Sequence, residues 1–120
     1  MNWIVDFHPL FLEEVDAFPK SMQKALAEEI EILEVIGPQL GRPQVDTLNS
    51  SKHRNMKELR FNAESGVWRV AFAFDPKRKA VLLVGGDKAG ANQKRFYKKL
   101  IKTADARFDE HLQRLKEAGQ

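Results

Sequence analysis

The chain is 120 residues long, 42% hydrophobic and 31% charged, with no cysteine and a formal net charge of +3. That length suits one domain over residues 1–120 with a core of its own, and the lack of Cys excludes disulfides, thiolate nucleophiles and Cys-based zinc sites. No apolar run approaches the roughly 18 residues of a membrane span, and the first residues lack the basic start of a secretory signal, so a cytoplasmic protein is expected.

Asn2 to Phe7 (NWIVDF) reads as a strand. His8-Pro9 turns the chain, and Pro9 suits a first helical position, where no N–H donor is needed. Leu10, Phe11, Glu14, Val15 and Phe18 follow at helical spacing, and Pro19 interrupts. A second helix is predicted from about Lys20 to Ile36, with Met22, Leu26, Ile30 and Leu33 as its buried stripe. Gly37-Pro38 stops it. Residues 37–55 hold two Pro and two Gly with little periodicity and read as a long loop.

Met56 to Phe61 (MKELRF) is the second predicted strand, and Ala63 to Gly66 a turn. Val67 to Phe74 (VWRVAFAF) is the clearest strand, with Trp68, Val70, Phe72 and Phe74 on one face by period two. Arg69, Ala71 and Ala73 take the other face, small enough to be open to a ligand. By the same alternation Leu59 and Phe61 face the core, while Glu58 and Arg60 share the open face. Strict phase sends Lys57 to the core side, but phase is weak where a strand begins. Asp75 to Lys79 is a basic hairpin turn, and Ala80 to Val84 (AVLLV), apolar on both faces, suits a central strand. Gly85 to Gly90 (GGDKAG) reads as a flexible turn. It matches neither the Walker spacing nor G-x-G-x-x-G, so no nucleotide loop is indicated. A last helix is expected from about Ala91 to Leu115, with Phe96, Leu100, Ala104, Phe108, Leu112 and Leu115 as its stripe and residues 116–120 fraying. The order β-α-α-β-β-β-α makes an α+β fold, a small antiparallel sheet with helices packed on one face.

Charge is distributed unevenly. Residues 1–50 carry three Lys/Arg against nine Asp/Glu, residues 51–102 fourteen against four, and residues 103–120 three against four. A basic middle is the footprint of a nucleic-acid binder, or of a partner for an acidic protein. Lys57, Arg60, Arg69 and Lys88 lie on strands or strand ends that the meander makes neighbours, and Tyr97 sits near the same edge. Such a group could cleave RNA without a metal. A Lys depressed by nearby cations can take the 2′-hydroxyl proton. Arg forks suit the phosphorane oxygens. A Tyr can stack on a base or donate a proton. Lys52, His53 and Arg54, with Lys94, Arg95, Lys98 and Lys99 on the last helix, are the candidate RNA-binding residues. Glu58 is the one acid on the cationic face, either a partner for Arg60 or Arg69 or a general base. His8, His53 and His111 have no paired spacing, so neither a metal site nor a cofactor is indicated.

The ordered set MKELRF, SGVWRVAFAF, KAVLLVGGDKAG and FYKKLIKTA resembles the RelE/HigB superfamily of toxins from bacterial toxin–antitoxin modules, most nearly its phage-derived HigB-like branch. The resemblance runs from about Asn2 to Leu112. It implies a RelE-like sheet and a toxin that inhibits translation and growth as a ribosome-dependent, metal-independent messenger RNA endoribonuclease (an mRNA interferase). It also implies the ribosome and mRNA as partners, and a cognate antitoxin, typically a helix-turn-helix protein encoded alongside. By motif position it implies Lys57, Arg60, Arg69, Lys88 and Tyr97 as the catalytic set. Related ParE toxins share the fold but act on DNA gyrase, so gyrase poisoning is the alternative, and a non-catalytic nucleic-acid-binding module a further one.

Overall fold

The computed structural model describes residues 2–119. Its elements are β1 (Ile4–Phe7), α1 (Pro9–Asp16), α2 (Lys20–Ile36), a 3-10 turn over Gly37–Gln39, β2 (Val45–Thr47), β3 (Met56–Ala63), β4 (Gly66–Phe74), β5 (Lys79–Asp87) and α3 (Gln93–Ala118). Local chemistry sets the helix ends. His8 caps α1, its Nδ1 accepting from the Leu10 N–H at 3.1 Å, and Pro9 fills the first turn. Asn92 caps α3 by accepting from the Arg95 N–H at 3.0 Å. Gly37, at φ 71°, ends α2 where a Cβ would fall 2.2 Å from the Trp3 indole nitrogen.

The α+β class and the strand order of the meander are as expected. The five strands form one sheet in the order β1-β5-β4-β3-β2. β2–β3, β3–β4 and β4–β5 pair antiparallel, while β1 pairs parallel with β5. β2 corrects the reading of residues 37–55 as loop throughout. Its three residues carry no strand pattern alone and are recruited by β3, with Asp46 opposite Glu58.

The placement of helices on one face is also corrected. α1 and α2 cover one face, where Phe11, Met22, Leu26 and Leu33 pack with Leu59, Val70, Phe72 and Leu82. α3 covers the other, its Leu100, Ile101, Ala104 and Phe108 packing on Met56, Ala71, Ala73, Val81 and Leu83. The physical reason lies in β4 and β5. Ala71 and Ala73 leave room for a helix to approach, and Ala80–Leu83 is apolar on both faces, so water cannot be left on either. α3 runs to Ala118 with Gly119 as its C-cap. Gln120 lies outside the described residues.

Gly85 and Gly86 are strand residues, not a flexible turn. A register shift between Ala71 and Phe72, which face Val84 and Leu82, leaves Leu83 as the extra residue of a bulge. After it, a Cβ at Gly85 would come 3.3 Å from Phe11 and Val70, and one at Gly86 2.9 Å from Phe96. Glycine at 86 therefore lets the first turn of α3 settle against the sheet beside Arg69, its cross-strand partner.

His8 gives the fold a pH dependence. It is 1% exposed and its Nε2 lies 3.1 Å from Glu110. Burial lowers its pKa from 6.5, outweighing the opposing pull of Glu110. Below about pH 6.5 the unfolded chain binds the proton that the folded chain resists, so this group's contribution to stability falls as pH drops. His8→Asn keeps a capping acceptor and should flatten the decline in melting temperature between about pH 7 and 5.5.

Candidate functional site

The site forms where α3 leaves the sheet uncovered. Alternation along β3 puts Glu58 and Arg60 on the α3 side, and β4 puts Arg69 there, directly opposite Arg60 in the ladder. Two arginines as cross-strand partners repel. Glu58, 3% exposed, partly compensates them. Its Oε2 accepts from Arg60 Nη1 at 2.9 Å, and its Oε1 accepts from the Tyr97 hydroxyl at 2.8 Å. Arg69 Nε stands 3.7 Å from Oε1, beyond hydrogen-bond reach.

Arg69 is the unusual member. It is 6% exposed, and its Nη1 donates to the Trp68 carbonyl at 2.8 Å. Its Nε is buried with no hydrogen-bond partner among the described residues. A buried guanidinium left incomplete beside a second guanidinium is costly, and an anion would relieve it.

Lys88 arrives from the end of β5. Its N–H donates to the Val67 carbonyl at 2.8 Å, and Asp87 Oδ1 accepts from the N–H groups of Val67 and Ala89, both at 2.9 Å. Gly66 makes that possible, since a Cβ there would come 2.5 Å from the Asp87 carboxylate. The ammonium thereby reaches 5.7 Å from the Tyr97 ring centroid. Burial, then Arg69 and Arg60, hold the Lys88 pKa below the usual lysine value, against the pull of Glu58. Burial, then the hydrogen bond to Glu58, push the Tyr97 pKa up, so the phenol keeps its proton. Glu58, Arg60, Lys88 and Tyr97 line a cleft of about 540 Å³ together with Arg42, Asp46 and Thr47 of the β2 segment, while Arg69, buried beside Glu58, is not part of its lining. Arg42 and Asp46 are paired there at 2.8 Å.

The geometry thus gathers Arg60, Arg69, Lys88 and Tyr97, and leaves Lys57 out. Lys57 lies between Met56 and Glu58, which face α3, so alternation turns it to the α1/α2 side. Strict phase holds there because β3 is paired on both edges from its first residues. The predicted RNA-binding residues divide. Lys52 and His53 are taken up by Asp109, the His53 Nε2 at 2.8 Å, and His53 sits edge-on to Phe108 at 4.9 Å. These contacts hold Lys52 and His53 on α3, outside the cleft that Glu58 lines. Arg54, Arg95 and Lys99 are exposed, and Lys99 lines a separate cleft with Val84 and Thr103. Lys94 and Lys98 border Tyr97. Sequence reasoning missed the central position of Glu58 and the wall from Arg42 to Thr47. The only signal for Glu58 was its being the single acid on a cationic face. Among the described residues no group of three His or acidic side chains converges to hold a metal.

The family model described as phage-derived protein Gp49-like matches residues 13–109. The toxin candidate HigB3 of Mycobacterium tuberculosis is 48% identical over 96 residues, which are 80% of this chain and 82% of that protein. The toxin candidate HigB2 of the same organism is 40% identical over 117 residues, 93% of this chain, which spans 55% of that protein's length. No solved structure matches significantly. The family match runs from within α1 to within α3 and takes in the whole of the Glu58 cluster, so the chain belongs to the Gp49-like, phage-derived, HigB-like family.

Proposed function

We propose that the chain is the toxin of a toxin–antitoxin pair and that its cleft cleaves messenger RNA on the ribosome. The observation that carries the reading is the excess of positive charge in the inner cluster. Arg60, Arg69 and Lys88 surround one carboxylate, Glu58, and one buried guanidinium nitrogen has no acceptor among the described residues. An anion of the size and shape of a phosphate completes it. The kinship with HigB2 and HigB3, named as toxin candidates, supports the same reading.

In this account the RNA supplies its own nucleophile. The ribose 2′-hydroxyl passes its proton to Lys88 in its neutral form, the 2′-oxygen bonds to phosphorus, and the bond to the 5′-oxygen breaks. The leaving oxygen takes the Tyr97 proton, giving a 2′,3′-cyclic phosphate and a 5′-hydroxyl end. Arg60 and Arg69 hold the phosphorane oxygens. Glu58 positions Arg60 and Tyr97 until the phosphate takes over those contacts. The site works in the cytoplasm, and the partner is an antitoxin whose acidic surface neutralises the cluster. Among the described residues no helix is long and apolar enough to cross a membrane.

Induced expression in bacteria with mapping of RNA 5′ ends tests the reading. New 5′-hydroxyl ends within translated codons are expected alongside growth arrest. Growth arrest with intact messages and DNA-damage signalling would move the target to gyrase.

A further inference from the structure

A second cleft, of about 610 Å³, adjoins the first across α3. Ser50, Gln93, Tyr97 and Ile101 line both, so the two form one continuous groove with Tyr97 as the shared wall. The second half differs in chemistry. Ile101 and the Tyr97 ring give it apolar surface, and its neutral polar groups are the Ser50 hydroxyl and the Gln93 amide. Lys94, Lys98 and Lys102 stand along it at intervals of four residues, on one line of the helix. Among the described residues no carboxylate lines it.

We infer that this half of the groove seats a nucleobase of the RNA whose phosphate lies on Arg60, Arg69 and Lys88. The inference rests on the proposed function. It follows from what each half would accept. The inner half suits an anion. The outer half suits a flat, neutral group with hydrogen-bonding edges, carried on an anionic backbone that the lysine line follows. Single-stranded nucleic acid is bound by that combination of apolar or aromatic platform and cationic track. The volume lies within the range of sites that hold small molecules. Ser50 and Gln93 each both donate and accept, so they can read a base edge.

The test is a titration of the intact protein followed by amide NMR, with adenosine 5′-monophosphate, uridine 5′-monophosphate and ribose 5-phosphate as probes. All three should perturb Arg60, Arg69 and Lys88. The nucleotides alone should also perturb Ser50, Gln93, Lys98 and Ile101, and at least one should bind about 10-fold or more tightly than ribose 5-phosphate. Equal affinities with the same perturbed residues for all three would overturn the inference and leave the phosphate site standing. So would perturbation of the outer residues by an acidic amphipathic peptide and not by either nucleotide, which would give the cleft to a protein partner. If none of the three perturbs Arg60, Arg69 and Lys88, the proposed function itself fails.

Discussion

Arg69→Met should abolish growth inhibition and leave the protein folded. Arg69 Nε has no acceptor among the described residues, and the side chain opposes Arg60 across the β3–β4 ladder. Methionine removes a buried, incompletely satisfied donor and a like-charge contact, worth roughly 1–3 and 0.2–1 kcal/mol. It also loses the bond from Nη1 to the Trp68 carbonyl and the 3.7 Å ion pair with Glu58. These terms nearly cancel, so stability should stay within about 1 kcal/mol of the parent. Glu58 keeps Arg60 and Tyr97 as partners. Removal of one preorganised donor to the phosphorane should cost about 10²–10³-fold in cleavage. Growth curves and urea unfolding of the same variant separate the two quantities. A folded Arg69→Met protein with full toxicity would remove Arg69 from the site.

Glu58→Ala should have the opposite balance. It leaves two guanidiniums and the Lys88 ammonium facing one another with no anion between them, and deprives the Tyr97 hydroxyl of its acceptor. Breaking a buried ion pair from one side costs about 3–5 kcal/mol, so the urea midpoint should fall sharply. Phosphate added to the buffer should restore part of the loss, because an anion that binds only the folded cluster stabilises it by mass action. Glu58→Gln still accepts from Tyr97 and should lose less. An unchanged midpoint for Glu58→Ala would show that the carboxylate does not hold the cluster together.

Much of this architecture was legible in the sequence, and the reasons differ by element. The period-two face of Trp68, Val70, Phe72 and Phe74 emerged as expected, with Val70 and Phe72 buried and the other two packed against that core. The helical stripe of Leu100, Ala104 and Phe108 was equally plain. The face that α3 would choose was not. Periodicity says which side of a helix is buried, but it does not say against which side of a sheet. Alanines at 71 and 73 read equally as an open ligand face and as a seat for a helix. β2 escaped because three residues in a Gly- and Pro-rich segment take their strand conformation from pairing with β3.

The candidate site divides in the same way. Arg60, Arg69 and Lys88 were accessible because a meander with known phases makes them neighbours. Tyr97 followed from its position one turn into α3. Lys57 was misplaced because a weaker assumption, loose phase at a strand's start, was set against strict alternation. His53 looked cationic and free, yet Asp109, 56 residues away, takes its ring nitrogen at 2.8 Å. Such a pairing has no trace in local sequence.

The most direct test uses purified protein, ribosomes stalled with a defined codon in the A site, and primer extension on the bound message. A cut within that codon, a 5′-hydroxyl end, and loss of the cut with Arg69→Met are expected. Intact message with the parent protein at ribosome-equivalent concentration, under conditions where the same preparation arrests growth, would contradict cleavage on the ribosome.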